Sequence, residues 1–187
     1  MLAYVFWHWP APGTDVASYI AALAEFHRSL AASPPPGFHC SIVFLVAAYR
    51  WLPADAAVFE DWYLLENSGA LDILNEAAVS GARKEPHDRA ARAAAGGTAG
   101  LCRLRLGEAA VAAANYACRF SKPSGMSYQE LYDMLGPLAS VPATGLWQRQ
   151  MTLGPGPEFC LLSPERVELP SPLEGDIITL NWVWPAE

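Results

Sequence analysis

The residues best suited to chemistry are His8, near the end of the aromatic run Leu2 to Pro10 (LAYVFWHWP), and the carboxylates of Phe59-Glu60-Asp61-Trp62-Tyr63. An imidazole titrates near neutral pH, so one held by a carboxylate in apolar surroundings can take a proton from a substrate. One of the two, Glu60 or Asp61, is the carboxylate expected to orient His8. Glu60 and Asp61 also suit a second role, a structural ion pair with a base such as Arg50 or Arg149, because an unpaired buried charge is costly. The other histidines carry less. His27 falls on the apolar stripe of a helix, where a packed, hydrogen-bonded core residue is expected, and His39 opens a strand. His87, in Glu85-Pro86-His87-Asp88, suits a helix start or the mouth of a pocket. The histidines show no metal-ligand spacing, no Gly-x-Ser-x-Gly elbow is present, and no glycine-rich phosphate loop follows a strand. Gly154-Pro155-Gly156-Pro157 reads as a hairpin turn, since proline cannot donate the N–H groups of a phosphate nest.

These residues need strands and helices to hold them. Leu2 to Pro10 reads as a strand, because β-branched and aromatic residues fit a pleated surface and Pro10 ends the ladder. Every position but His8 is apolar or aromatic, so both faces are expected to be covered. Ala3, Val5, Trp7 and Trp9 share one side; Tyr4, Phe6 and His8 share the other. The wholly apolar side suits helix packing, which leaves Tyr4 and His8 facing a cavity between two sheets. Thr14 or Asp15 caps a helix whose Tyr19, Leu23, His27 and Leu30 recur at helical spacing. Three prolines end it, Phe38 to Tyr49 and Val58 to Glu66 are strands, and Asn67 or Ser68 caps a second helix. Arg83 to Ala95 is an exposed helical stretch closed by Gly96 and Gly97, and Thr98 to Leu106 is a fourth strand. This order is the split βαβ, or ferredoxin-like, plan.

The pattern restarts after Gly107. Asn115 to Pro123 is a strand, and Ser127 with Glu130 forms a capping box ahead of a helix. Gly145 to Leu153, Glu158 to Leu162 and Asp176 to Trp184 are strands, with an irregular proline-rich segment, Ser163 to Gly175, where a second helix would stand. Phe6-Trp7-His8-Trp9-Pro10, followed by a glycine turn and a tyrosine-bearing helix, is echoed by Arg119-Phe120-Ser121-Lys122-Pro123. Aligning the halves on Pro10 and Pro123 puts Arg119 and Ser121 on the Tyr4 face; anchoring on Gly13 and Gly125 puts Arg119 on the helix side. The expected fold class is α+β: two ferredoxin-like half-barrels, residues 1–107 and a degenerate 108–187, packed sheet to sheet with helices outside.

Composition narrows the partners. A net charge of −7 and a pI near 5.0 argue against nucleic acid, whose phosphates need clustered Lys and Arg. The basic patch from Arg83 to Arg92 is broken by Glu85 and Asp88 and reads as a solvated helix face. Cys40, Cys102, Cys118 and Cys160 form no Cys-x-x-Cys pair and suit a reducing cytoplasm as small buried residues. The apolar run Ile42 to Tyr49 is too short to cross a bilayer and no basic leader precedes the first strand, so a soluble cytoplasmic protein without membrane contact is expected.

With these elements in place the chain resembles the dimeric α/β-barrel superfamily, the ferredoxin-like folds that include EthD-like proteins and antibiotic-biosynthesis monooxygenases. The resemblance rests on the aromatic strand with His8, the helix bearing Phe26-His27, the strand around Glu60-Asp61, and the helix holding Leu74-Asn75-Glu76-Ala77. In such families two ferredoxin-like units form a barrel, usually from two chains; here both would lie in one chain as a tandem repeat. The resemblance implies a small-molecule enzyme, monooxygenase-like or isomerase- or cyclase-like, performing cofactor-independent oxidation or proton transfer on an apolar or aromatic substrate. In that reading His8 is the general base, Asp61 orients it, and Tyr63 and Arg119 stabilise negative charge on a substrate oxygen. Tyr4, Phe6, Trp62 and Ser121 would contact the ligand, and no cofactor or metal is implied. Two alternatives stay open: a carrier holding a ligand without chemistry, and haem bound through a histidine, as occurs in related barrels. A tandem chain can stand as a monomer, or use exposed sheet edges to form a homodimer.

Overall fold

The computed structural model describes residues 1–47, 49–52, 56–150 and 156–185. The chain is α+β, with four α-helices and eight strands among the described residues. It divides into two compact units, Met1–Gly100 together with the segment from Asn181 onward, and Leu101–Leu180.

The first unit contains β1 (Leu2–Pro10), α1 (Val16–Ala32), β2 (Phe38–Val46), β3 (Val58–Leu65), α2 (Gly69–Ala78), α3 (Lys84–Ala93) and the opening of β4 (Ala94–Gly107). Its strands run in the order β4-β1-β3-β2. β3 pairs antiparallel with β1 from Leu2↔Leu65 to His8↔Phe59, and antiparallel with β2 up to Val46↔Val58. A strand flanked on both edges and covered on both faces can be apolar throughout, and β3 is buried at all eight positions. Its two carboxylates, Glu60 and Asp61, are therefore buried as well.

α1 begins where Asp15 Oδ2 accepts from the Ser18 backbone N–H at 2.9 Å, satisfying one of the orphan donors of the first turn. Tyr19, Leu23, Phe26, His27 and Leu30 then form its buried stripe. Tyr19, Ala22 and Leu23 pack on Val43 of β2, Phe59 of β3 and Ala90 of α3. Each large apolar side chain so buried contributes roughly 1.5–3 kcal/mol.

Gly96 and Gly97 depart from expectation, since they lie inside β4 instead of closing α3. The reason is steric. A Cβ on Gly97 would stand 2.4 Å from the Phe6 ring and 2.9 Å from the Trp7 carbonyl oxygen, and one on Gly96 would stand 3.0 Å from Trp9. The glycines let this strand pass close under the aromatic side chains of β1, a strand use of glycine that a helix-stop reading overlooks.

The second unit contains the end of β4, β5 (Tyr116–Phe120), α4 (Tyr128–Ala139), β6 (Gly145–Arg149), β7 (Phe159–Ser163) and β8 (Gly175–Trp184) up to Leu180. Its strand order is β8-β5-β7-β6-β4, with the β8–β5, β5–β7, β7–β6 and β6–β4 ladders antiparallel. The capping box closes as expected: Ser127 Oγ accepts from the Glu130 N–H at 3.1 Å and Glu130 Oε2 from the Ser127 N–H at 2.7 Å. Leu131 and Leu135 of α4 pack on Phe120, Leu146, Phe159 and Leu161. The segment between β7 and β8 carries no helix. The expected Gly-Pro hairpin turn lies largely outside the described residues, which stop at Gln150 and resume at Gly156. Among the described residues no helix is long and apolar enough to cross a membrane.

Candidate active site

Strand alternation sorts the first unit's polar side chains onto two faces. Tyr4, Phe6 and His8 of β1 share a face with Asp61 and Tyr63 of β3, as the pairs Tyr4↔Tyr63 and Phe6↔Asp61 require. Trp7, Glu60 and Trp62 belong to the opposite face, where the Glu60 carboxylate accepts from Trp7 Nε1 at 2.8 Å, Trp62 Nε1 at 2.7 Å and the Tyr49 hydroxyl at 2.6 Å.

The His8 face meets the helices of its own unit. A cavity of about 710 Å³ is bounded by Tyr4, Phe6, His8, Asp61 and Tyr63 from the strands, Tyr19, Leu23 and Phe26 from α1, Leu71, Leu74 and Asn75 from α2, and His87 and Ala90 from α3. This corrects the expectation that the apolar side of β1 takes the helices while Tyr4 and His8 look between two sheets. α1 carries polar groups of its own, Tyr19 and His27, and these satisfy His8 and Asp61; a polar strand face can therefore receive a helix.

Asp61 is the centre of the site. Its Oδ1 lies 3.0 Å from His8 Nε2, and its Oδ2 lies 3.2 Å from His27 Nε2 and 3.0 Å from the Tyr63 hydroxyl. On the far side of each imidazole stands a hydroxyl: Tyr19 is 2.7 Å from His8 Nδ1 and Ser41 is 2.8 Å from His27 Nδ1. A carboxylate only accepts, so every contact is satisfied when both Nε2 atoms carry hydrogen and both Nδ1 atoms accept from a hydroxyl. Burial pushes the Asp61 carboxyl up, but the imidazoles of His8 and His27 and their hydrogen bonds outweigh it and hold the group well below the usual carboxylate range. Burial, with the Asp61 charge second, pushes the phenols of Tyr19 and Tyr63 up. Tyr4 moves the same way for the same two reasons. These tyrosines therefore act as hydrogen-bond donors rather than phenolates.

The floor of the cavity is a row of rings. Tyr4 and Phe6 are stacked within 11° at 6.3 Å, and Phe6 and His8 within 23° at 5.0 Å. Beyond them, the short side chains of Ala90, Ala91, Ala94 and Ala95 leave room for a ligand.

The site residues expected from sequence fall into two groups. His8, Asp61, Tyr63, Tyr4 and Phe6 come together at this cavity. Trp62 turns to the Glu60 face, Arg119 is buried on β5 of the second unit, and exposed Ser121 follows that strand; none of the three lines the cavity. Tyr63 donates to Asp61. Sequence reasoning did not find Tyr19 or the engagement of His27. Both stand on the apolar stripe of α1, eight residues apart, and polar tips at helical spacing facing a strand with a carboxylate were the available signal. Among the described residues no group of three or more His, Cys, Asp or Glu side chains is arranged to hold a metal ion.

No protein-family model and no curated protein matches the chain by sequence. Solved structures do match in shape. A provisionally named monooxygenase from Lactobacillus acidophilus NCFM superposes with a TM-score of 0.56 at 12% identity, covering 97% of this chain and 94% of that one. An anthrone oxidase-like protein superposes with a TM-score of 0.51 at 12% identity, covering 96% and 90%. The fold built here from an aromatic first strand, a ring-floored cavity and antiparallel ladders is thus one that this chain shares with both of those solved structures.

Proposed function

We propose that the chain is an enzyme that removes a proton from an apolar or aromatic small molecule bound in the first unit's cavity and passes the resulting anion to dioxygen. The observation that carries this reading is the chain Asp61–His8–Tyr19, in which a buried carboxylate, an imidazole and a phenol are linked at 3.0 and 2.7 Å beside a largely apolar cavity. In the proton step the substrate's acidic C–H or O–H gives its proton to the Tyr19 oxygen while Tyr19 gives its own to His8 Nδ1. The imidazolium so formed lies beside Asp61, and the electron pair stays on the substrate as a delocalised anion. In the oxidation, an activated methylene loses both hydrogens and gains one oxygen atom as a carbonyl, while the second oxygen of dioxygen leaves as water. The names of the two similar structures agree with such chemistry, and the geometry carries it. The strand orders β4-β1-β3-β2 and β8-β5-β7-β6 support reading the chain as two ferredoxin-like units, near 1–107 and 108–187.

Anthrone serves as the probe. In D2O under nitrogen the protein should exchange the methylene hydrogens faster than buffer alone, and in air it should yield the quinone with one dioxygen consumed per molecule. His8→Ala should lower both rates by about 10²- to 10⁴-fold, the usual worth of a general base. Equal rates in a folded His8→Ala protein that still binds anthrone would remove the assignment. Thermal stabilisation by anthrone without exchange or product would favour the carrier reading instead.

One observation favours haem as a second reading. His8 and His27 have both ring nitrogens engaged, but His87 lines the cavity with Nδ1 on Asp88 at 3.3 Å and no partner for Nε2 among the described residues. An imidazole backed by a carboxylate is the common form of a metal ligand, and bound haem would supply redox chemistry. A Soret shift on adding haemin, lost in His87→Ala, would support this reading; an unchanged spectrum would end it.

A further inference from the structure

His27 is wholly buried and does not line the cavity, yet it shares its carboxylate with the imidazole that does. A core histidine needs a partner for each ring nitrogen; it does not need this particular one. The terminal torsion of an aspartate is soft, so a carboxylate held at one oxygen alone can turn. Here His27 and Tyr63 both donate to Oδ2, which aims Oδ1 at His8. The His27 ring is itself held by stacking on Tyr63 at 5.3 Å and 27°. Ser41, facing from β2, anchors the far edge of the ring: the carboxylate, which only accepts, keeps the hydrogen on Nε2, and the Ser41 hydroxyl, 2.8 Å from Nδ1, donates to the nitrogen left without one. With the hydrogen on Nδ1, a lone pair on Nε2 would face Oδ2, and the carboxylate would lose a donor on that side.

We propose that His27 is a positioning residue for His8, acting through Asp61, and that Ser41 anchors the His27 ring so that its Nε2–H stays aimed at Oδ2. The catalytic consequence rests on the proton-transfer reading above; the structural consequence does not.

Long-range proton–nitrogen NMR on the 15N-labelled full chain reads which nitrogen of each imidazole carries hydrogen. Both His8 and His27 should carry it on Nε2. Ser41→Ala should leave the hydrogen on His27 Nε2, which the carboxylate requires, but release the far edge of the ring, weaken its hydrogen bond to Asp61 and move the Nε2–H resonance of His8, which Ser41 does not touch. His27→Gln, whose amide can still donate to Asp61, should keep His8 as it is, and His27→Phe should not. In the anthrone exchange assay, Ser41→Ala and His27→Phe should lower kcat about tenfold, the scale of coupling within one hydrogen-bond network, and leave KM unchanged. The pH profile should shift in these variants and return in His27→Gln. The other titratable groups about His8 and the cavity, Tyr4, Tyr19, Asp61, Tyr63, Asp72 and His87, are the same in every variant. Unchanged His8 imidazole resonances in folded Ser41→Ala and in folded His27→Phe overturn the proposal. Should His27→Phe fail to fold, Ser41→Ala alone decides. Shifts of the His8 imidazole resonances without any anthrone exchange in the unaltered protein uphold the positioning role and refute the proton-transfer reading; exchange with no such shift does the reverse.

Discussion

Replacing Asp61 with asparagine keeps the side chain's size and converts one of its two acceptor ends into a donor. Oδ2 takes two donors and Oδ1 takes one, so the amide oxygen should settle toward His27 and Tyr63 and the NH2 group toward His8 Nε2. To accept from that group, His8 must move its hydrogen to Nδ1, where it then donates to Tyr19. The ring keeps its place and loses its basic nitrogen, which should lower turnover by about 10²- to 10⁴-fold. Hydrogen bonds to a charged group contribute roughly 1.5–3 kcal/mol against 0.5–1.5 for neutral ones, so three affected bonds represent about 3 kcal/mol. Removing a buried charge offsets part of this, leaving about 2 kcal/mol, or a Tm lower by about 4–8 °C for a chain of this size. The loss should also depend on pH. A carboxyl held below its ordinary value contributes stability that is complete above about pH 4 and is lost as the pH falls from there through the depressed folded value. Urea unfolding at pH 7 and at pH 3, with anthrone exchange at pH 7, measures all three quantities. Undiminished exchange in a folded Asp61→Asn protein would refute the tautomer argument. A stability gap that stays constant below pH 4 would refute the electrostatic one.

Tyr19→Phe leaves the buried His8 Nδ1 without its hydroxyl; exchange should slow at least tenfold and urea unfolding should show a loss of about 1–3 kcal/mol. Gly97→Ala places a Cβ against the Phe6 ring and the Trp7 carbonyl, the second of which is backbone and cannot swing aside, so thermal unfolding should show about 1–3 kcal/mol of destabilisation. Ser127→Ala removes one half of the α4 capping box and should cost about 1 kcal/mol by urea unfolding, with anthrone exchange unchanged.

Much of the architecture was legible because it follows from local rules. The start of α1 at one of Thr14 and Asp15, the capping box at Ser127 and the ends of β1 all depend on short-range sterics and hydrogen bonding, which neighbouring residues report. Which side chains share a face of β1 was legible too, since alternation is steric. Which face meets the helices was not. That choice depends on what α1 carries, and His27 resembles any other polar intrusion on an apolar stripe until its partner on β3 is known. The glycines of β4 were misread for a similar reason: their requirement comes from Phe6 and Trp9, some ninety residues away along the chain. Arg119 depended on aligning two halves of low identity, where a one-residue choice of anchor reverses the side a residue takes.

β3 carries two acidic side chains in succession, and each is fitted to a different environment. The longer, Glu60, reaches two indoles and a phenol, and the shorter, Asp61, reaches two imidazoles and another phenol. Trp62 and Tyr63 travel with β3, but slipping the strand by one position would part the acids from Trp7, Tyr49, His8 and His27, stranding four donors at once and leaving both acids at the wrong length for what they meet. The central plank of the first unit thus carries its own proofreading: the arrangement that equips the cavity also penalises the nearest misalignment during assembly.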